Sequence, residues 1–297
     1  MEIDRYHNIV PSRHRNKNIF EHDNVKYRIQ WSNDARGGPH SSILEAVRED
    51  RGETCIIKFC KYPINDDSKK NKIERFKREI QALRDASLKE MDHIIQFVFQ
   101  GSMVIDERNY IYYVMEKANG GDLKRFIYET ELDTAEKLRL CLEILNGIKQ
   151  LHGMGIYHRD IKPKNILLVD RIWKIADLGL IALRGEDHDN LMELVGPVGW
   201  LSPEATNKAY TEGRAIGIPF DCVIDERSDI FQLGKLFWFI FQGNVPIGQL
   251  RGPDFRITDS EIFEILNLML QHDKQQRISL IDIEQRFKPI AKRYSVQ

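Results

Sequence analysis

The stretch that decides the reading is His158-Arg159-Asp160-Ile161-Lys162-Pro163-Lys164-Asn165. Its fixed positions, H-R-D-x-x-x-x-N, set a carboxylate ahead of a side-chain amide on one short loop. A carboxylate can orient an attacking hydroxyl and accept its proton, and an amide oxygen a few residues on can hold a metal ion; phosphoryl transfer needs both. Asp160 fits the first task and Asn165 the second. Farther along, Asp177-Leu178-Gly179 follows the apolar run Trp173-Lys174-Ile175-Ala176. Alone, such a turn is commonplace. Placed after the first motif, Asp177 reads as a second metal ligand, an oxygen donor suited to Mg²⁺.

Working outward, residues 134–152, 229–242, 259–271 and 279–293 carry helical periodicity, and Ile166 to Ile175 reads as a hairpin. Before Asn119-Gly120-Gly121 the texture is different. Val25–Trp31, Ile43–Val47 and Thr54–Phe59 alternate as three antiparallel strands, residues 68–86 form one amphipathic helix, and Ile94–Phe99 and Tyr110–Met115 read as two more strands. The chain is therefore α+β and bilobal: a small antiparallel β lobe with one helix (25–118) and a larger, mainly helical lobe (119–290). Residues 1–24 are polar and aperiodic and read as a loosely packed arm, and 291–297 as a tail.

Composition narrows the classes. The chain has 297 residues, 42% of them hydrophobic and 30% charged, with a formal net charge of -1. That is enough apolar content for real cores, which excludes disordered and fibrous classes. The charge balance gives no support for nucleic-acid binding. Cys55, Cys60, Cys141 and Cys222 are scattered without a C-x-x-C pair, which suits a reducing compartment. No run has the pattern of an export signal, a lipid anchor or a membrane span, so the expected location is cytoplasmic.

With these motifs in place, the chain resembles the serine/threonine protein kinase family over about residues 25 to 290. The resemblance implies an ATP- and Mg²⁺-dependent enzyme acting on protein hydroxyls. Lys162, two residues past Asp160, is similar to the lysine with which serine/threonine kinases neutralise the transferring phosphate. Its presence, with Ser202-Pro203-Glu204, argues against small-molecule phosphotransferases. Cys55-Ile56-Ile57-Lys58 resembles the strand whose lysine grips the α and β phosphates, and Glu79 stands where the family's helix glutamate pairs with that lysine. A lone strand lysine is ordinarily a solvated edge residue. Met115-Glu116-Lys117-Ala118 resembles the linker that hydrogen-bonds adenine through Glu116 and Ala118. Asp122 then reaches the ribose, Leu167 packs beneath the base, and Ile43 takes the valine position of the phosphate-covering loop. Glu204 is expected to pair with Arg277, and Asp229 to anchor the catalytic loop; these are structural roles.

Some positions depart from the family pattern. Aligning the phosphate-covering loop puts Arg36, Gly38 and Ser41 at its three glycine positions, so only Gly38 survives. Ile56 replaces a customary alanine over the adenine. Pro197 stands where a threonine would hydrogen-bond the catalytic aspartate and lysine, and proline offers no donor. Between Leu178 and Leu201 there is no serine, threonine or tyrosine. Glu186, Asp187, Asp189 and Glu193 instead offer fixed carboxylates to Arg159, and a solvated acidic loop is the equal alternative. The stretch 205–228 is long and reads as a docking surface for a partner. The competing functional reading is a pseudokinase scaffold.

Overall fold

The computed structural model describes residues 1–30, 40–186, 189–214, 220–248 and 250–295. They form two compact units, Met1–Glu90 with Ile95–Lys117, and Met91–Ile94 with Ala118–Gln297. The α+β reading holds, with an antiparallel sheet in the N-terminal part and helices in the C-terminal part.

The first unit opens with β1 (Glu2–Ile3) paired to β2 (Ile9–Val10). It continues through β3 (Ile19–His22), β4 (Val25–Ile29), β5 (Ser41–Arg48), β6 (Thr54–Cys60), α1 (Lys70–Leu88), β7 (Phe97–Ile105) and β8 (Arg108–Glu116). Six strands make one antiparallel sheet in the order β3-β4-β5-β6-β8-β7. The two-residue period of β5 buries Ser42, Leu44 and Ala46. Leu44 and Ala46 join Ile57, Phe59, Tyr112 and Val114 in the unit's core, on which Phe20 stacks against Tyr27 at 5.1 Å.

The first 24 residues are therefore part of this unit and not a loose arm. Ile9 and Phe20 sit in its core, and β3 forms an edge of its sheet. Strands of two to four residues are too short to show alternation, so the sequence pattern missed them. The strand expected from Ile94 is split. β7 begins at Phe97, whereas Ile94 bridges in parallel to Ile175 and belongs to the second unit.

The second unit runs through α2 (Leu123–Glu129), α3 (Thr134–Gly153), β9 (Ile156–Tyr157), β10 (Ile166–Val169), β11 (Ile172–Ile175), β12 (Ala182–Leu183), α4 (Pro203–Thr211), α5 (Glu226–Gln242), α6 (Ser260–Met269) and α7 (Leu280–Ser295). Asp133 and Glu136 close a capping box at the start of α3. In α5, every residue from Ser228 to Gln242 except Lys235 is buried, which makes it the central helix of the unit. It ends on Gly243, whose left-handed φ of 78° suits glycine. Residues 291–295, expected as tail, continue α7: Ile290 and Ala291 are buried, and Arg293 pairs with Asp259 at 2.6 Å. No described helix is long and apolar enough to cross a membrane.

Candidate active site

In the first unit, Lys58 on β6 and Glu79 on α1 meet as expected, Nζ to Oε1 at 2.6 Å, and both are almost wholly buried. Tyr113 on β8 donates its hydroxyl to the same oxygen at 3.0 Å. A buried ion pair held by a further hydrogen bond is stable only while both partners are present. Ile43 lies opposite Lys58 in the β5/β6 register, and Ile56 opposite Met115 in β6/β8. The Glu116 carboxylate accepts from the Gln96 amide at 2.7 Å, which fixes the end of β8. Gly38 and Arg36 lie outside the described residues, and Ser41 opens β5.

In the second unit, the loop after β9 carries the decisive motif, and α5 holds it from beneath. Asp229, in the first turn of α5, accepts from the amides of His158 at 2.7 Å and Arg159 at 2.8 Å. Burial alone would raise its pKa; the hydrogen bond and charge of His152, with the backbone donors, hold it below the ordinary carboxylate value. One turn on, Gln232 does something the sequence reading did not anticipate. Its Oε1 accepts from the Ile161 amide at 2.9 Å, and its Nε2 donates to the Arg159 carbonyl at 3.0 Å. Gln232 thus grips the backbone on both sides of Asp160. The i, i+3 spacing to Asp229 was the available signal, since it sets both side chains on one helix face. This double grip holds Arg159 in the left-handed region, φ 66°.

His158 is fully buried. The Asp160 amide donates to its Nδ1 at 3.1 Å, so Nε2 carries the proton and donates to the Ala176 carbonyl at 3.2 Å. The Asp160 carboxylate has a tight set of donors: Lys162 Nζ reaches both oxygens, at 2.9 and 2.8 Å, and Asn165 Nδ2 reaches Oδ2 at 2.8 Å. No hydroxyl from residue 197 is needed for the Lys162 contact, because the ammonium bonds the carboxylate directly.

The Asn165 nitrogen also donates to the Asp160 carbonyl at 2.9 Å, so its two hydrogens are spent and its oxygen is the atom left to accept. The Ala176 amide bonds the Asn165 carbonyl at 2.9 Å, which brings Asp177 close by in the chain. Asp177 is exposed and left-handed, φ 59°, while Leu178 beside it is fully buried. Asn165 and Asp177 offer oxygen donors only, which fits a hard dication such as Mg²⁺. Asp122 caps α2, accepting from the Arg125 amide at 3.0 Å, and its backbone bridges to Leu167 on β10.

Among the described acidic loop residues, Asp189 meets Arg159. Asp187 lies outside the described residues. Farther on, Glu204 receives Arg277 through two bonds, 2.7 and 2.9 Å, with Ser228 adding a third at 2.6 Å. Burial would raise the Glu204 pKa, but Arg277 and Ser228 hold it below the ordinary value.

Comparison with known proteins agrees with this arrangement. The family model described as protein kinase domain matches residues 37–288. The chain is 27% identical over 288 residues to the serine/threonine-protein kinase cds1 of Schizosaccharomyces pombe, covering 90% of this chain and 59% of that protein. It is 32% identical over 200 residues to the probable serine/threonine-protein kinase kinX of Dictyostelium discoideum, covering 65% of this chain and 16% of that one. It is 26% identical over 261 residues to CBL-interacting protein kinase 11 of rice, Oryza sativa subsp. japonica, covering 82% and 47%. The chain thus spans no more than about three fifths of the length of these relatives. A match over this much of the chain, on motifs that fold into one hydrogen-bonded loop, leaves one assignment: the chain belongs to the protein kinase family, of the eukaryotic serine/threonine type.

Proposed function

We propose that this chain transfers the γ-phosphate of ATP to serine or threonine hydroxyls of protein substrates. The observation that carries the reading is the Asp160 carboxylate, held by Lys162 and Asn165 on a loop pinned by Asp229 and Gln232. Asp160 orients the acceptor hydroxyl and takes its proton. Lys162 neutralises charge on the transferring group. Lys58, aimed by Glu79, grips the α and β phosphates. Asn165 and Asp177 would hold Mg²⁺, which supplies charge neutralisation on the phosphate oxygens when bound. Glu116 and Ala118 present backbone groups to adenine, Asp122 reaches the ribose, and Ile43, Gly38 and Leu167 complete the nucleotide contacts. Most of the rate comes from positioning and electrostatics.

The partners in this reading are protein substrates, with a docking partner at 205–228, where Phe220 and Val223 are exposed. Nucleic acid and membrane play no part in it. A reducing, cytoplasmic setting is consistent with four free cysteines, two of which, Cys55 and Cys60, have thiols pushed up to about 11 by burial.

The test is incubation with labelled Mg·ATP and a generic protein substrate, beside an Asp177→Ala variant. Transfer by the parent chain and none by the variant supports the reading. Absence of transfer together with no nucleotide-induced rise in melting temperature overturns it and leaves a scaffold. Transfer to small metabolites but never to protein removes the protein-kinase activity.

A further inference from the structure

Lys235 is the one residue between Ser228 and Gln242 that α5 does not bury. Its ammonium donates to the Gly199 carbonyl at 2.9 Å and lies 5.5 Å from the centre of the Phe231 ring. Among the described residues no carboxylate comes within ion-pair distance, and burial lowers its pKa with nothing opposing. The charge is thus partly desolvated and matched only by a carbonyl and a ring face, an arrangement that a carboxylate would improve.

This ammonium lines a cavity of about 800 Å³ walled by Leu201, Pro203, Phe231, Leu250 and His272. The rest of the described wall includes three side-chain amides, Asn207, Asn267 and Gln271, and no acidic residue. In a chain where 45 acidic residues balance 44 basic ones, a wall this size free of acids is a local departure from the average. Ile247, 91% exposed, stands between Pro246 and Gly248 of the wall, and Val198, 80% exposed, precedes Gly199. Exposed apolar side chains are thus chain neighbours of a wall whose described residues include the cation Lys235.

The cavity also lies near the transfer loop. A side-chain carbon at Gly196 would sit 3.0 Å from the Arg159 carbonyl, while Gly199, three residues on, is bonded to Lys235. At roughly 3.5 Å per residue, the Lys235 ammonium is no more than about 20 Å from the backbone that carries Asp160. An extended peptide spans that distance in about six residues.

We propose that this cavity binds an acidic segment of the protein substrate, seating an aspartate or glutamate carboxylate on Lys235 and a neighbouring apolar side chain against Phe231 and Leu250. The proposal rests on the protein-kinase reading and adds a substrate preference to it. One lysine in a wall that also carries three neutral amides matches a single negative charge. A phosphate dianion is characteristically met by clustered arginines, and none is among the described residues of this wall.

The test uses peptides with one acceptor serine and a single glutamate scanned within six residues of it, each paired with its glutamine counterpart. The expected kcat/KM ratio of glutamate to glutamine peptide is about fivefold or more at the best position. In Lys235→Glu the ratio falls to one or below, and a lysine peptide becomes the preferred member. Because a ratio is read, a general loss of activity in the variant does not obscure it. Fluorescence anisotropy of the labelled glutamate peptide, without nucleotide, gives a second readout: binding to the parent chain, weakened by salt, and lost in Lys235→Met. An unchanged ratio in Lys235→Glu overturns the proposal, as does equal binding to Lys235→Met, or a phosphoserine peptide binding more tightly than the glutamate peptide through Lys235. If the parent chain transfers no phosphate but binds the glutamate peptide through Lys235, the transferase reading falls while the cavity assignment stands.

Discussion

Asp189 closes a two-point ion pair on Arg159, Oδ2 to Nη1 at 2.5 Å and Oδ1 to Nη2 at 3.1 Å, with side chains 3% and 5% exposed. The same guanidinium donates from Nε to the Leu180 carbonyl at 2.6 Å, so one arginine joins the catalytic loop to two points of the following segment. Removing the carboxylate would strand a buried cation at a cost of about 3–5 kcal/mol. Asp189→Ala should therefore lower kcat by tenfold or more and raise hydrogen exchange across residues 180–195. Phosphatase treatment of the parent chain should leave activity unchanged, because the pairing charge is permanent. A phosphosite mapped between 178 and 201, with activity lost on its removal, contradicts this.

Gln232 should matter to turnover more than to nucleotide binding. Gln232→Leu keeps the volume but removes both contacts that flank Asp160. The expected outcome is a fall in kcat of about ten- to a hundredfold with KM for ATP little changed. Exchange at residues 158–165 should rise, whereas the body of α5 stays protected. Equal losses in kcat, ATP affinity and melting temperature would instead mark a general packing defect.

Lys58→Met removes the ammonium that Glu79 Oε1 accepts from and leaves the carboxylate buried beside the Tyr113 hydroxyl. The variant should lose transfer by more than a hundredfold, and nucleotide should no longer raise its melting temperature. Glu79→Gln is predicted to be milder, since it keeps a polar partner for the lysine. A titration of ATP against melting temperature in the three proteins separates these outcomes.

Acid should weaken the second unit in a particular way. Glu204 and Asp229 both have pKa values held below their ordinary 4.5 and 3.8. A depressed folded pKa contributes stability that is fully present above the unfolded value and is lost as pH falls through the folded one. Melting temperature should thus hold at neutral pH and decline below about pH 5. Glu204→Gln should be less stable at pH 7 and show a shallower decline. A parallel decline in variant and parent would show that Glu204 is not the group responsible.

The long helices, the meander from Val25 to Phe59 and the hairpin at Ile166 were legible because each repeats its period several times. So were the pairs Lys58–Glu79 and Glu204–Arg277, which rest on fixed motif positions. Gln232, Lys235 and the choice of Asp189 among four acids were not. Each depends on which way one side chain faces after packing, and a glutamine or lysine in an apolar helix is equally compatible with a solvated position. The short helices α2 and α4 also escaped notice, although Asp122 and Ser202-Pro203 are ordinary start signals. Seven to nine residues give too few turns for a periodic pattern.

Because β3 is the edge strand and pairs with β4 from Ile19↔Arg28 to His22↔Val25, a truncated chain beginning at residue 25 would replace a four-residue edge with the longer, five-residue edge of β4. It would also lose Phe20 from its stack on Tyr27. Free edges recruit strands from other molecules. Such a trimmed protein should form soluble aggregates and scatter light on concentration, while the chain that keeps its first 24 residues stays dispersed.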